Sequence, residues 1–411
     1  MGASPACRSC GAPLSDVVVD LGLSPLCETI IDRDEAHHGE AFYPLTAYVC
    51  GHCWLMQVPD SVEPEGMFQR NYPYFSSFSD SWLAHAAAYA SDMVERLGLG
   101  PGSRVVEVGS NDGYLLQWFV QRGIPSLGVD PAANVAEAAA ARGVETRVTF
   151  FGRDVAELLV AEGWAADLVA GKNVLAQVPD LNDFVAGLAT LVKPAGTVTI
   201  EAPHVVHLIE QVQFDTIYHE HFSYFSLIAV ESLYAHHGLV ITDVAEVPTH
   251  GGSLRFYAQR ADRDPQVMPA VAALRERELA AGVATPQWWT SFAPRVEAAK
   301  ASLLRFLLDA KDRGTRVVGY GAPGKGNTLL NYCGIRPDLL AYTVDRNPYK
   351  HGRFTPGTRI PVLAPEAIAA DRPDYVLVLP WNLRTELTEQ LSYVREWGGR
   401  LVFPIPTLEV V

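Results

Sequence analysis

The chain has 411 residues, of which 48% are hydrophobic, and its formal net charge is −15. This length predicts two or three domains with full hydrophobic cores. The acidic balance argues against a nucleic-acid partner, and the lack of a run of about twenty apolar residues argues against a membrane span. The first ten residues lack the apolar stretch of a secretory signal, so we expect a cytoplasmic protein.

Residues 1–68 are predicted to form a small module held together by a metal ion. Four of the six cysteines form two Cys-x-x-Cys pairs, Cys7 with Cys10 and Cys50 with Cys53. In a reducing compartment, paired thiolates at this spacing predict a closed, structural zinc site. A disulfide pair and free thiols are the alternatives.

The segment between the two cysteine pairs is long enough to require strands of its own. Leu45, Ala47 and Val49 alternate with other residues as in a half-buried strand. The two remaining cysteines, Cys27 and Cys333, are expected to be core or neutral positions.

The strongest pattern in the chain is a strand, a glycine loop and a helix that begin at Val105. A carboxylate precedes the loop, and a second carboxylate ends the next short strand. Glycine allows close approach of the backbone to a ligand, and open α/β sheets bind ligands beyond the carboxyl ends of their strands. The loop lacks the full G-x-G-x-x-G of a dinucleotide site. The pattern therefore suits S-adenosylmethionine (SAM), which has no phosphate, although a structural βαβ unit without a ligand is the alternative. The candidate cofactor-binding residues are Glu107, Gly109, Asn111, Gly113 and Asp130, and we expect Asp130 to accept hydrogen bonds from the ribose hydroxyls.

Residues 69–262 have the alternation of strands and helices that is typical of a doubly wound α/β fold. A helix is predicted from about Asp80 to Leu97. The predicted strands are 104–109, 126–130, 167–170 and 197–201, followed by a turn-linked antiparallel pair at 239–247 and 254–258. This is the layout of a class I methyltransferase domain. Asn173, after the third of these strands, is predicted either to bind the amino-acid end of SAM or to cap a helix.

The densest group of chemically active side chains runs from Tyr218 to Tyr224. Within it, His219 and His221 flank Glu220. Histidine is suited to proton transfer near neutral pH, so a general base is the leading interpretation. A metal site and structural histidines are the alternatives.

Residues 263–411 begin with helices and then return to the strand–loop–helix theme. A strand ends at Tyr320, a glycine-rich loop that contains Lys325 follows it, and a helix is predicted from about Thr328. The next predicted strand ends in Asp345. Backbone N–H groups at a helix start, together with a lysine, favour an anion such as a diphosphate, while a plain tight turn is the alternative.

Taken together, these stretches resemble the nucleotide-sugar C-methyltransferases of deoxysugar biosynthesis, which methylate C3 of a TDP-4-keto-2,6-dideoxyhexose. The resemblance covers nearly the whole chain. It depends on the two cysteine pairs and on the stretches Glu107–Gly113, Tyr218–Tyr224, His250–Arg255 and Lys325–Asn331. It implies a zinc domain, a central class I (Rossmann-like) SAM domain and a C-terminal Rossmann-like α/β domain that helps to hold the nucleotide sugar.

The resemblance also implies roles for individual residues. It makes His221 and Glu220 the catalytic pair, with His219 as the competing base, and it places Tyr72, Tyr218 and Tyr224 around the sugar. The stretches that carry the resemblance add Arg255, Lys325 and Asn327 as candidate substrate-binding residues. Gln177 is a further candidate, and it stands where the family commonly has histidine, which leaves the substitution pattern of the sugar open because glutamine cannot become cationic.

We therefore expect a zinc-containing, SAM-dependent C-methyltransferase that acts on a nucleotide-linked keto sugar. A base near C3 and a hydrogen bond to the C4 oxygen would stabilise the enolate that attacks the methyl group. The alternatives are a methyltransferase for a non-sugar ketone and an NAD-binding oxidoreductase with two Rossmann domains. A zinc-ribbon methyltransferase of nucleic acids is disfavoured by the acidic charge.

Overall fold

The computed structural model describes residues 5–62 and 75–411, which form three β-sheets with helices packed around them. The strands are β1 (Asp16–Ser24), β2 (Tyr43–Val49), β3 (Met56–Gln57), β4 (Val105–Val108), β5 (Ser126–Asp130), β6 (Glu145–Val148), β7 (Ala166–Lys172), β8 (Val192–Pro203), β9 (Ser223–Tyr224), β10 (Leu239–Val247), β11 (Ser253–Arg260), β12 (Val317–Tyr320), β13 (Thr343–Val344), β14 (Val362–Leu363), β15 (Tyr375–Val378), β16 (Arg400–Phe403) and β17 (Glu409–Val410). The α-helices are α1 (Asp80–Leu97), α2 (Gln117–Val120), α3 (Ala133–Ala140), α4 (Arg153–Ala161), α5 (Leu181–Leu191), α6 (Val205–Glu210), α7 (Leu227–His236), α8 (Pro269–Ala281), α9 (Pro286–Thr290), α10 (Phe292–Asp312), α11 (Gly324–Cys333), α12 (Glu366–Asp371) and α13 (Arg384–Gln390). Within the described ranges, these helices include none with the length and apolarity that crossing a bilayer requires.

The first sheet is antiparallel and has the order β1–β2–β3–β9. The predicted alternation is confirmed, since Leu45, Ala47 and Val49 on β2 are each at most 1% exposed. Strand β9 comes from the segment that follows the parallel strands of the central sheet, yet Tyr224 pairs with Met56 on β3. The predicted catalytic stretch is therefore attached directly to the cysteine module.

The central sheet has the order β10–β11–β8–β7–β4–β5–β6. The strands from β8 to β6 are parallel, and β11 and β10 add an antiparallel edge. This arrangement confirms the predicted α/β fold class, including the antiparallel pair. The sequence prediction missed β6 because this edge strand is made of polar and partly exposed residues, which show no apolar pattern.

The third sheet has the order β14–β13–β12–β15–β16–β17, and it is parallel except for β17. Helix α11 begins at Gly324, four residues before the predicted start at Thr328. A side chain at Gly326 would have its Cβ 3.0 Å from Cβ of Leu379, so glycine here allows the helix to pack tightly on the sheet. The predicted loop Gly321–Gly326 is therefore wrong in its second half, and Lys325 lies in the first turn of a helix.

The cysteine module shares its core with both larger sheets. One hydrophobic cluster joins Leu45 of β2 to Phe292 of α10 and Val318 of β12, and another joins Cys50 and Leu55 to the central sheet. The first sheet therefore packs between the two larger sheets and shares its core with both.

Candidate functional site

The four predicted metal ligands come together. Cys7 Sγ lies 3.6 Å from Cys53 Sγ, Cys10 Sγ lies 3.5 Å from Cys50 Sγ, and all four sulfurs lie within 4.8 Å of one another. Sulfurs around a tetrahedral zinc ion are about 3.8 Å apart when each Zn–S bond is about 2.3 Å. The cysteines are not joined as disulfides. The residues therefore fit a closed zinc site, and the zinc would have a structural rather than a catalytic role.

The cysteine site is linked to the rest of the protein through one amide. Gln57 Nε2 donates to Cys7 Sγ at 3.2 Å, and Gln57 on β3 pairs with Ser223 on β9. This hydrogen bond and this strand pairing thus connect a candidate zinc ligand to the Tyr218–Tyr224 stretch.

The glycine loop after β4 is organised around Asp130 at the end of β5. Asp130 Oδ2 accepts from the backbone N–H of Asn111 at 2.8 Å, and Oδ1 accepts from that of Ala132 at 2.9 Å. Gly109 has a φ of +70°, and a Cβ there would lie 2.9 Å from Val174. The loop therefore requires glycine, and it holds Asp130 in the wall of a cavity.

The other candidate cofactor residues differ in their positions. Glu107 is fully buried beneath the loop, where burial raises the pKa of its carboxyl well above the ordinary value while the Tyr114 hydroxyl lowers it. Gly113 has a φ of +76° and packs against Val144, so its role in the structure is to close the loop. Neither residue lines the cavity described below.

Asn173 follows β7 with a φ of +58°. Its Nδ2 lies 3.0 Å from Nε2 of His250, and the short 3₁₀ helix Leu175–Gln177 that follows has no side-chain cap. The structure therefore does not support the capping role, and Asn173 lies at the cavity with its side chain paired to a histidine.

His221 is held in one orientation by two neighbours. Its Nε2 lies 3.0 Å from the Tyr218 hydroxyl, and the carbonyl of Thr216 accepts a hydrogen bond from the ring. Burial lowers the pKa of His221 to about 3, with smaller contributions from His250 and Lys325. His221 is therefore neutral at physiological pH, with the lone pair of Nε2 facing Tyr218.

Glu220 does not make the predicted pair with His221. Its Oε2 accepts instead from the Cys27 thiol at 3.3 Å. Burial, reinforced by Glu28, raises the pKa of the Glu220 carboxyl to about 7. The predicted role of Glu220 in orienting His221 is thus corrected, because Glu220 contacts Cys27 while the neighbouring His221 contacts Tyr218.

His219 and Tyr224 contact neighbouring parts of the protein and lie outside the cavity wall. His219 Nε2 lies 3.2 Å from the carbonyl oxygen of Pro44, while the Tyr224 hydroxyl accepts from the backbone N–H of Tyr218 at 3.2 Å. Neither residue lines the cavity. Among the described residues, the groups with three metal-donor atoms within 4.8 Å of one another do not include His219, Glu220 and His221, so the metal alternative is not supported. Tyr72 lies outside the described residues.

The edge of the third sheet supplies positive charge. Lys325 Nζ lies 4.9 Å above the Trp381 ring and donates to Asn382 at 3.1 Å. Burial lowers the pKa of Lys325, and Asp215 partly offsets this effect. Lys350 and Arg353, which sequence reasoning missed, line the same part of the cavity.

Two of the predicted substrate-binding residues are structural. Asn327 Nδ2 donates to the carbonyl of Cys27 at 2.7 Å, and this bond ties α11 to the cysteine module. Arg255 donates to Glu201 Oε2 at 3.1 Å within a buried group that also contains Lys172 and His85. Neither Asn327 nor Arg255 lines the cavity.

One cavity of about 810 Å³ is lined by the central sheet and by segments that follow strands of the first and third sheets. It runs from the loop at Asp130 past Gln177 and His221 to Lys325. The residues in its wall that the sequence analysis did not select include Glu28, Lys172, His250, Lys350 and Arg353. The available signals were Lys350 and Arg353, which follow Asp345 within eight residues, and His250, which precedes two glycines.

The fold, the cysteine module and the loop at Asp130 define a zinc-binding, SAM-dependent methyltransferase. Three family models match the chain: a zinc binding domain at residues 7–68, a methyltransferase domain at 82–244 and a C-methyltransferase C-terminal domain at 248–406. The chain is 38% identical to the C-methyltransferase NovU of Streptomyces niveus over 405 residues, which cover 98% of this chain and 96% of that protein. The chain therefore belongs to the C-methyltransferase family that these matches define.

More distant matches are confined to parts of the chain. The ubiquinone biosynthesis O-methyltransferase of Bordetella avium is 34% identical over 99 residues, which cover 24% of this chain and 41% of that protein. The structure of the magnesium protoporphyrin IX methyltransferase of Synechocystis with bound SAM is 15% identical, with a TM-score of 0.37, and the match covers 49% of this chain and all of that one.

Proposed function

We propose that this enzyme transfers the methyl group of SAM to C3, next to the C4 ketone, of a nucleotide-linked 4-keto deoxyhexose, with TDP as the nucleotide. The observation that carries the proposal is the single cavity that joins Asp130, His221 and Lys325. It offers a carboxylate for a ribose at one end, a histidine in the middle and cations for a diphosphate at the other. The resemblance of the chain to nucleotide-sugar C-methyltransferases and its similarity to NovU support the same substrate class.

The residues divide into three groups in this proposal. Glu107, Gly109, Asn111, Gly113, Asp130 and Asn173 form or support the SAM pocket. His221, Tyr218 and Glu220 act on the sugar together with Gln177, and Lys325 neutralises the diphosphate. We further propose that residues 1–68, 69–262 and 263–411 are the zinc, SAM and nucleotide-sugar domains.

Proton removal from C3 falls to Nε2 of His221. The Thr216 carbonyl holds the proton on the opposite ring nitrogen, so Nε2 carries the lone pair, which accepts from the Tyr218 hydroxyl until the substrate replaces that contact. The Tyr218 hydroxyl stays protonated because burial raises its pKa well above the ordinary value, and it is available to donate to the developing oxyanion at C4. When bound, SAM supplies an electrophilic methyl group that the C3 carbanion accepts.

The low pKa of His221 in the free protein has a consequence for this step. Lys325 is one of the cations that lower this pKa. A bound diphosphate next to Lys325 would cancel that contribution, so the basicity of Nε2 would rise when the substrate is present. The base is therefore strengthened by the ligand whose proton it removes.

The proposal is tested by incubating the enzyme with a TDP-linked 4-keto-2,6-dideoxyhexose and methyl-labelled SAM. NMR of the product should place the label on C3. The UDP-linked sugar and a simple non-sugar ketone serve as parallel substrates. A label on oxygen, or equal turnover of the simple ketone, would contradict the proposal, and an increase in melting temperature with NAD but not with SAM would favour an oxidoreductase.

A further inference from the structure

A second group of metal-donor side chains lies outside the cavity. Among the described residues, His204, His207 and Glu246 each offer one donor atom, and these atoms lie within 4.8 Å of one another. His204 precedes helix α6, His207 is in its first turn, and Glu246 is near the end of β10. None of the three lines the cavity.

His204 is buried with one ring nitrogen unsatisfied. It is 3% exposed, its Nε2 lies 2.8 Å from Glu278 Oε1, and its Nδ1 has no hydrogen-bond partner among the described residues. Glu278 is fixed in turn by the backbone N–H groups of Leu227 and Ile228. Because the carboxylate accepts the proton of Nε2, Nδ1 carries the unshared lone pair of the ring. Metal-binding histidines are commonly held in this way by a carboxylate on the opposite nitrogen.

His207 presents a second imidazole beside the first. The two ring centroids are 5.4 Å apart, and Nε2 of His207 lies 3.9 Å from Glu246 Oε1. A Cβ at Gly252 would lie 2.6 Å from Cδ2 of His207, so the backbone of the turn packs directly on this ring. The backbone N–H of His204 also donates to the carbonyl of Gly252 at 3.0 Å.

Glu246 has one carboxylate oxygen available. Its Oε2 accepts from Arg277 at 2.6 Å, and its Oε1 faces His207. Two imidazoles and one carboxylate make up a known ligand set for zinc, which leaves a fourth position for water. Metal–ligand bonds of about 2.0–2.1 Å require donors about 3.3 Å apart. The side chains of His207 and Glu246 are 30% and 43% exposed, so they are free to make this contraction.

We propose that His204, His207 and Glu246 form a second site for a divalent transition metal, with zinc as the reference ion and with Glu278 orienting His204. The imidazole ligands distinguish such an ion from magnesium and calcium, which prefer oxygen ligands alone.

A metal at this site would affect the segments that lead to the cavity. Glu246 comes just before the turn Thr249–Gly251, which carries His250 to the cavity wall. Helix α6 leads toward the segment that carries His221. A metal bound here links the start of α6 to the end of β10, and it clamps the turn that positions His250.

The test uses the full-length protein with its cysteine site already filled with zinc. Zinc alone is titrated into the wild type and into His207→Ala and Glu246→Gln, and the bound metal is measured after equilibrium dialysis. The wild type should bind a second equivalent. Both variants should bind it about 100-fold more weakly, because the loss of an outer-shell partner alone costs 10- to 100-fold. The melting temperature of the wild type should rise with zinc while that of His207→Ala does not, and a large excess of magnesium should not displace the second equivalent.

His236→Ala is the matched control, since His236 is an exposed histidine that precedes the start of β10, whereas Glu246 is near the other end of that strand. This variant should keep the second equivalent. A wild type that binds no metal beyond the cysteine site overturns the proposal, and so does a second equivalent that persists in both His207→Ala and Glu246→Gln. Loss of the second equivalent in His236→Ala would assign it to adventitious surface binding and would equally overturn the proposal.

Discussion

The central and third sheets build their ligand edges in the same way. In each, a strand ends in a loop with a glycine of positive φ, Gly109 at +70° and Gly321 at +86°. In each, an aspartate at or just beyond the end of the neighbouring strand accepts two backbone N–H groups. Asp130 accepts from Asn111 and Ala132, and Asp345 accepts from Ala322 and Asn347, all at 2.8–2.9 Å.

The two edges differ in the charge around the loop. Asp130 lines the cavity at the central edge, whereas Lys325, Lys350 and Arg353 line it at the third edge. Our proposal accordingly assigns SAM to the central edge and the anionic diphosphate to the third edge, where the basic side chains are. The shared backbone determines where a ligand sits, and the side chains determine its charge.

His221 stands between these two edges, and its replacement should have the largest effect. We expect His221→Asn to lower methyl transfer by about 10²–10⁴-fold, which is the usual contribution of a general base. The measurement is turnover of the keto sugar, together with exchange of C3–H for deuterium in deuterated water with S-adenosylhomocysteine in place of SAM.

His219→Asn is the matched control for this prediction. His219 lies against the carbonyl of Pro44 outside the cavity wall, so this variant should retain exchange. Full exchange in His221→Asn would make His221 a binding residue. Loss of exchange in His219→Asn alone would reverse the assignment of the two histidines.

Glu220 should make the stability of the folded protein depend on pH. Its pKa is raised from 4.5 to about 7, so the fold favours the protonated form. The stability that protonation contributes is complete below pH 4.5 and is lost as the pH rises through 7. Glu220→Gln, which cannot ionise, should therefore be more stable than the wild type at pH 8 by up to about 3 kcal/mol, at 1.36 kcal/mol per pKa unit.

The measurement is chemical unfolding of both proteins at pH 5 and pH 8. The advantage of Glu220→Gln should appear at pH 8 and be small at pH 5. An equal advantage at both values would show that Glu220 is not ionising in the folded protein over this range.

Replacing each of the two aspartates by asparagine tests whether the two edges bind different ligands. Asp130→Asn should weaken SAM binding by about 1.5–3 kcal/mol, the value for hydrogen bonds to a charged group. Asp345→Asn is the matched control, and it should leave SAM binding unchanged by calorimetry. If both variants weaken SAM equally, the two edges do not have separate ligands.

The smallest expected effect concerns the cation at the third edge. Lys325→Ala should raise the KM for the sugar nucleotide about tenfold, or about 1.4 kcal/mol, because Lys350 and Arg353 remain. Lys300→Ala is the control, since Lys300 lies over the Tyr332 ring and does not line the cavity. Steady-state kinetics in both substrates provide the measurement, and a fall in SAM affinity instead would mean that the ligands have been assigned to the wrong sheets.

Much of this site could be predicted from sequence because its signals are local. The cysteine pairs, the loop at Gly109 and the aspartate that ends β5 each depend on residues within a few positions of one another. Helix α1 was predicted with the bounds that the structure has, since Ser79 caps its start and Gly98 its end. The start of α11 was predicted too late because glycines suggest a loop, whereas Gly326 is required by tight packing on Leu379 and Gly324 by close packing on Cys27.

The sequence by itself therefore determined the α/β fold class, the cysteine module, and the places at which two sheets present loops to ligands. Only the tertiary structure decided that Glu220 pairs with Cys27, that His219 turns away from the cavity and that His250 lies in its wall. The position of His250 follows from the turn Thr249–Gly251, whereas those of Glu220 and His219 follow from the pairing of β3 with β9 and from the packing of the cysteine module between the two larger sheets. Such contacts join residues about two hundred positions apart, and no periodicity or local motif encodes them, because they depend on how whole sheets pack against one another.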